Sequence, residues 1–155
     1  MDAHRRRRPL RSFLNRPGDE QRLLLRALTA LLSVRLALWT LPARTTLRIV
    51  NGLVERRLRR GQSEEVAVER IGWAVGKAAH HVPNATCLTQ ALAAQLLLAR
   101  YRHESRLCIG VARDGERGFE AHAWIEAEGR VVVGGGRRLE RYSRLPDLAG
   151  VLSLK

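Results

Sequence analysis

Apolar positions along the chain change period twice, and the changes divide it into elements. From Asp19 to about Trp39 leucines crowd the sequence, after a Pro17-Gly18-Asp19 turn signal. Asp19 can cap a helix there, and Pro42 stops it. Leu47, Val50, Leu53, Val54 and Leu58 repeat at helical spacing and predict a second helix over about Thr45–Arg60. Gly61-Gln62-Ser63 interrupts the pattern. Ser63 suits an N-cap, and Glu64 and Glu65 suit the positive end of a third helix with a Val66, Ile71, Val75, Ala78 stripe, ending near His80-His81-Val82-Pro83. Asn84 or Thr86 can cap a fourth helix, marked by Leu88, Ala91, Leu92, Gln95, Leu96 and Ala99.

After His103 the period becomes two. Leu107, Ile109 and Val111 alternate with Cys108, Gly110 and Ala112, which predicts a strand. Phe119, Ala121, Ala123 and Ile125 form one face of the next strand; Glu120, His122, Trp124 and Glu126 form the other. Glu128-Gly129 makes a tight hairpin, and Arg130–Val133 returns as a third strand before Gly134-Gly135-Gly136. Tyr142, Leu145, Leu148 and Val151 can cover a sheet edge. Helices followed by an antiparallel sheet predict an α+β fold. We divide the chain into 1–62, a basic tail with helices for packing or partner docking, and 63–155, a core bearing the chemistry.

Charge adds a question. The chain of 155 residues carries 28 Lys+Arg against 15 Asp+Glu, a net +13 that is almost all arginine. A polyanionic partner is one reading, an arginine-rich background the other. Aromatic residues are 5% and do not interleave with the arginines, so stacking platforms for nucleic acid are missing and no nucleic-acid partner is expected. Leu23–Leu41 approaches the length of a bilayer span, but Arg26 and Arg35 lie on opposite helix faces. Each costs roughly 2.5–3.5 kcal/mol at a membrane centre. A packed helix is expected, with peripheral membrane contact as the alternative. Arg56, Arg57, Arg59 and Arg60 form either a solvated face or a docking patch. Two cysteines exclude a disulfide scaffold and point to a reducing cytoplasm.

Cys87 and His122 carry the candidate chemistry. Cys87 falls in the first turn of the fourth helix, where unpaired backbone N–H groups and the helix dipole favour an anion such as a thiolate. His122 lies mid-strand between two alanines that leave room beside the imidazole, and Trp124 can wall the site from water. A helix-start cysteine followed by a mid-strand histidine is the order used by papain-like and transglutaminase-like folds. His80, His81, His103 and His122 have no recognised metal-ligand spacing, and the triple glycine lacks the Lys-Ser/Thr of a phosphate loop, so no metal or cofactor is expected. The glycines instead suggest close approach of a substrate backbone. Cys108 is assigned to packing.

The strings Cys87-Leu88-Thr89-Gln90-Ala91-Leu92, Leu107-Cys108-Ile109-Gly110-Val111 and Ala121-His122-Ala123-Trp124-Ile125-Glu126 resemble the lasso peptide leader peptidases. These are the split-type B proteins of lasso peptide biosynthesis, in the transglutaminase-like, papain-like superfamily. The resemblance runs from about Ser63 to Val133 and more loosely over the preceding helices. It implies a transglutaminase-like core, with the cysteine helix packed on a small antiparallel sheet bearing the histidine. It also implies a cysteine protease that removes the leader of a ribosomally made precursor, with Cys87 as nucleophile and His122 as general base and acid. The implied partners are the precursor leader, a separate leader-recognition protein and an ATP-dependent lasso cyclase. The alternatives are an acyl transferase on the same site and, from charge alone, a nucleic-acid binder. The family's third member is an Asp on the strand after the histidine, where this chain has Val131–Arg137 without a carboxylate. Glu126 faces the same way as His122 but lies four residues along the strand, about 13 Å and too far for direct contact; Glu140 or Asp147 from the tail, or a backbone carbonyl, can orient the imidazole instead. The Cys87 backbone N–H, with His80, His81 or Asn84, can meet an oxyanion.

Overall fold

The computed structural model describes residues 18–60, 65–114, 118–136 and 139–146. Four helices come first: α1 (Gly18–Thr40), α2 (Ala43–Arg60), α3 (Val68–Ala79) and α4 (Cys87–Arg100). Strands β1 (Arg106–Asp114), β2 (Gly118–Ala127) and β3 (Arg130–Val133) follow, then a 3-10 turn at Leu139–Arg141 and a short β4 (Ser143–Arg144). The four strands form one sheet in the order β3-β2-β1-β4, with antiparallel pairing throughout. The fold is α+β as expected. The boundary placed between 62 and 63 lies outside the described residues, as do the tail 1–17, Asp147, Leu148 and Val151.

The α4 helix organises the core because it is apolar on every side. Thr89 and all residues from Ala91 to Ala99 are buried, the signature of a helix enclosed by other elements. α1, α2 and α3 pack around it, and β2 lies against it from the sheet. α1 contributes Leu23, Leu24, Ala27, Leu31 and Val34, and α2 contributes Thr46, Leu47, Val50 and Val54. Their spacings of three, four and seven keep each set on one stripe. α1 is long and apolar enough to cross a membrane by length and composition, yet this stripe is packed against α3 and α4.

α3 begins four residues later than expected. Ser63 lies outside the described residues, and the helix starts at Val68 after an extended Ala67 that makes no side-chain cap. Val66 is buried, and its carbonyl is held by His103 Nε2 at 2.7 Å. The first bonds into the helix are accepted by the Ala67 carbonyl. At the other side of α3, Gly72 presses on β3. A Cβ there would lie 2.6 Å from the Val132 carbonyl oxygen.

Both faces of the sheet are covered. Leu107, Ile109, Ala123, Ile125, Ala127 and Val133 face the helices and join the main core. Cys108, Ala112 and Trp124 face the other way and are buried under Tyr142 and Leu139. Cys108 is thus a packing residue, in this second cluster rather than the main one. Gly110 makes the cover possible. It lies opposite His122 in the β1–β2 register, and a Cβ there would meet the Tyr142 Cβ at 2.8 Å. β4 pairs with β1 beside it, so the tail does cover a sheet edge through Tyr142, while Leu145 is exposed. The Glu128-Gly129 hairpin has φ of 51° and 74°, the mirror-image turn that matches strand twist.

Candidate active site

The start of α4 is built by short local bonds. Thr86 is the N-cap: its Oγ1 accepts from the Thr89 backbone N–H at 3.3 Å and lies 3.0 Å from the Thr89 hydroxyl. Gln90 reaches back, its side-chain amide donating to the Ala85 carbonyl at 2.9 Å. These bonds stiffen the turn on both sides of Cys87, which is the first residue of the helix and half-buried. Of the two cap residues open to choice, Thr86 performs the capping. Asn84 instead takes a left-handed backbone, φ 55°, in the preceding turn.

β2 brings His122 to the same place. A cleft of about 420 Å³ is lined by Ala85, Thr86, Cys87 and Gln90 from α4 and its entry, Glu120, Ala121 and His122 from β2, and Val133 and Gly134 beyond β3. Cys87 and His122, separated by 35 positions in sequence, therefore share one cavity. β3 pairs only with the Ile125–Ala127 end of β2. The cleft lies where that pairing stops.

His122 is held on three sides. Its ring stacks with Trp124 at 6.1 Å between centroids and tilts against Tyr142 at 5.3 Å. Its Nε2 lies 2.8 Å from the Gly134 carbonyl oxygen. A carbonyl can only accept, so Nε2 carries the hydrogen and donates it. The neutral ring then has its lone pair on Nδ1, which is the position a base requires. Trp124 is fully buried and walls this side of the ring, as its place on the strand suggested.

Gly134, which the sequence marks only as part of the triple glycine, is the residue whose carbonyl meets the imidazole. It leaves β3 with φ 89°, and a Cβ would lie 2.8 Å from the Trp124 Cβ and 2.9 Å from the Ala123 carbonyl oxygen. Only glycine combines that backbone conformation with that approach. Gly134 thus admits close approach of the chain's own β2. Its carbonyl is the hydrogen-bond partner of the His122 ring. The signal was present: glycines stand where an acid was expected.

Among the described residues, the carboxylates considered for the imidazole have other surroundings. Glu126 Oε1 accepts from Trp124 Nε1 at 3.0 Å, and Arg144 bonds both carboxylate oxygens, at 2.7 and 3.3 Å. The Trp124 hydrogen bond, opposed by burial and reinforced by the Arg144 guanidinium, holds the Glu126 carboxyl below the usual carboxylate range. Burial, followed by the Glu126 charge, pushes the Cys108 thiol up. Glu140 is exposed and outside the cleft lining, and Asp147 lies outside the described residues. Glu120 lines the cleft and pairs with Arg141 at 2.8 Å. Of the side chains considered for an oxyanion, His80, His81 and Asn84 are not among the lining residues. Among the described residues no group of three His, Cys, Asp or Glu could hold a metal ion.

Glu126→Gln therefore tests a structural tether. The amide still accepts from Trp124 but loses the charge that holds Arg144. Turnover should stay within tenfold of wild type. A depressed folded-state value means that the carboxylate's stabilisation is complete above the ordinary value of 4.5 and is lost as pH falls through the folded value. Thermal melts should thus separate variant from wild type at neutral pH and converge in acid. A loss of turnover of several orders of magnitude, with folding intact, would instead make Glu126 the imidazole's functional partner.

A cysteine opening a buried helix, sharing a cleft with a histidine of an antiparallel sheet, defines the class as a cysteine-helix α+β fold. The chain belongs to the transglutaminase-like superfamily, whose family model matches residues 28–147. That match covers α4, the whole cleft and most of α1. Proteins of this superfamily are generally cysteine-dependent enzymes, typically proteases or acyl transferases. No curated protein and no solved structure matches the chain.

Proposed function

We propose that this chain is a cysteine protease that removes the leader peptide from a ribosomally synthesised lasso peptide precursor. The observation that carries the protease reading is the shared cleft of Cys87 and His122, with the imidazole oriented by the Gly134 carbonyl. The three sequence strings around Cys87, Ile109 and His122 support the finer reading by their resemblance to the leader peptidases.

In this mechanism His122 Nδ1 takes the thiol proton, and the Cys87 sulfur attacks the scissile carbonyl carbon. The oxyanion forms near the backbone N–H at the start of α4, where a developing negative charge is favoured. His122 then gives the proton to the leaving amine as the C–N bond breaks, which leaves a thioester on Cys87. Water, deprotonated by the same imidazole, attacks the thioester, and the thiol is regenerated with release of a carboxylic acid. A backbone carbonyl orients the ring but carries no charge to stabilise the imidazolium. The dyad is therefore expected to be slower than a carboxylate-assisted triad.

A separate leader-recognition protein delivers the precursor in this proposal. An ATP-dependent cyclase consumes the freed core peptide, and the setting is cytoplasmic. Incubation with a candidate precursor and its recognition protein, followed by mass spectrometry, tests the function. Two fragments whose masses sum to precursor plus water support hydrolysis. An acyl fragment carrying an added amine would replace it with acyl transfer, and an uncut precursor would reject both.

A further inference from the structure

Away from the cleft, α1 and α2 splay apart where each packs on α4, and a groove of about 440 Å³ opens between them. Its walls are Leu25 and Ala30 of α1 and Leu53 of α2; its floor is Leu96 and Leu97 of α4. Leu25 and Leu53 are 52% and 38% exposed, which is unusual for leucines lining a concavity. The apolar surface continues along α1. Leu32, Leu36 and Trp39 follow Leu25 at steps of seven, four and three, and all are exposed, Trp39 at 78%. The stripe runs from Leu25 to Trp39, about 21 Å of helix. Ile49, one turn before Leu53, extends the α2 wall.

Charge within the groove is one-sided. Arg57 and Arg100 both line it. Arg57 is half-buried, and one guanidinium nitrogen is fixed by donating to the Leu96 carbonyl at 2.9 Å. Burial and the neighbouring Arg100 charge both press its pKa down. Among the described residues no carboxylate pairs with either arginine. Arg26, also in the lining, is bonded to the Tyr101 hydroxyl at 2.6 Å. One arginine held in an apolar trough, with a second, exposed one at its edge, is unfavourable alone and becomes favourable beside a carboxylate.

We propose that the α1–α2 groove is a docking site for an acidic amphipathic helix of a partner protein, whose leucine-like face covers Leu25 and Leu53 and whose carboxylates pair with Arg57 and Arg100. A groove between two helices over a third suits a helical ligand. The residues 1–17 of this chain are an unsuitable occupant because they carry Arg5–Arg8, Arg11 and Arg16. A planar lipid surface is disfavoured because Arg57 is held down inside the concavity by Leu96, with apolar walls on both sides.

The probe is a 16-residue helical peptide with leucines on one face and glutamates on both flanks, beside a counterpart with glutamine at every glutamate. Fluorescence anisotropy with the full chain at low salt reads the affinity. The glutamate peptide should bind at least tenfold more tightly than the glutamine peptide. Arg57→Glu should remove that preference. Arg100→Glu, at an exposed position, should do the same without touching the Leu96 bond, and unchanged thermal melts confirm that the fold is intact. Equal affinity for the two peptides, or a preference that survives Arg100→Glu in a folded protein, overturns the proposal. So does absence of peptide binding when phosphatidylglycerol vesicles are bound through the same two arginines, which would make the groove a lipid-facing surface.

Discussion

Cys87→Ala should abolish the proposed peptide cleavage and leave the thermal melt close to that of wild type. The variant loses the reacting sulfur, while the Thr86 cap and the Gln90–Ala85 bond that shape the turn remain. Covalent catalysis has no substitute nucleophile at that position, so the expected residual rate is the background. Cys108→Ala retains most activity, because that thiol is packed under Tyr142 and Trp124 on the far face of the sheet. Alkylation of the native protein distinguishes the two in the same way: Cys87 lines an open cleft and reacts first, whereas Cys108 is 7% exposed. A folded Cys87→Ala enzyme that still cuts, with a dead Cys108→Ala enzyme, would reverse the assignment.

Gly134→Ala should be the most damaging single-methyl change near the site. The added Cβ would meet the Trp124 Cβ at 2.8 Å and the Ala123 carbonyl at 2.9 Å, and φ at this position is 89°. Backbone strain of that kind costs about 1–3 kcal/mol. In a chain of this size that lowers Tm by about 2–4 °C per kcal/mol. The functional loss should exceed the stability loss. Moving the chain off β2 withdraws the carbonyl from His122 Nε2 and frees the ring's tautomer and orientation. General acid–base catalysis is worth about 10²–10⁴-fold, so kcat should fall within that range while KM changes little. Gly136→Ala is the control. A Cβ there meets nothing within 4 Å, and the variant should behave as wild type. Wild-type kcat in a folded Gly134→Ala protein would show that the carbonyl does not orient the imidazole.

The local pattern of the chain determined its elements. Helical spacing placed α1, α2 and α4, and strict alternation placed the three main strands to within a residue or two at most ends. The hairpin at Glu128-Gly129 needed only its turn chemistry. These features were legible because each depends on residues within one turn or one strand. Cys87 and His122 could be singled out for the same reason, one by its place at a helix start and the other by its place in mid-strand.

What the sequence could not determine rests on contacts between distant segments. Just before the late start of α3, the Val66 carbonyl is held by His103, 37 positions away, a contact that no local propensity encodes. The burial of both sheet faces depends on Tyr142 folding over Gly110, so the Trp124 face could not be recognised as a second small core from alternation alone. The imidazole's partner is a backbone carbonyl. Every residue carries such a carbonyl, so side-chain identity cannot mark the one that is used. Gly134 could be seen as unusual, but only the tertiary structure shows that its missing Cβ lets β3's end press on β2 and deliver that carbonyl to His122. The groove between α1 and α2 is likewise a property of packing. Leucines 25 and 53 look like core residues in the sequence, and they are exposed because the two helices diverge over α4 and leave space between them.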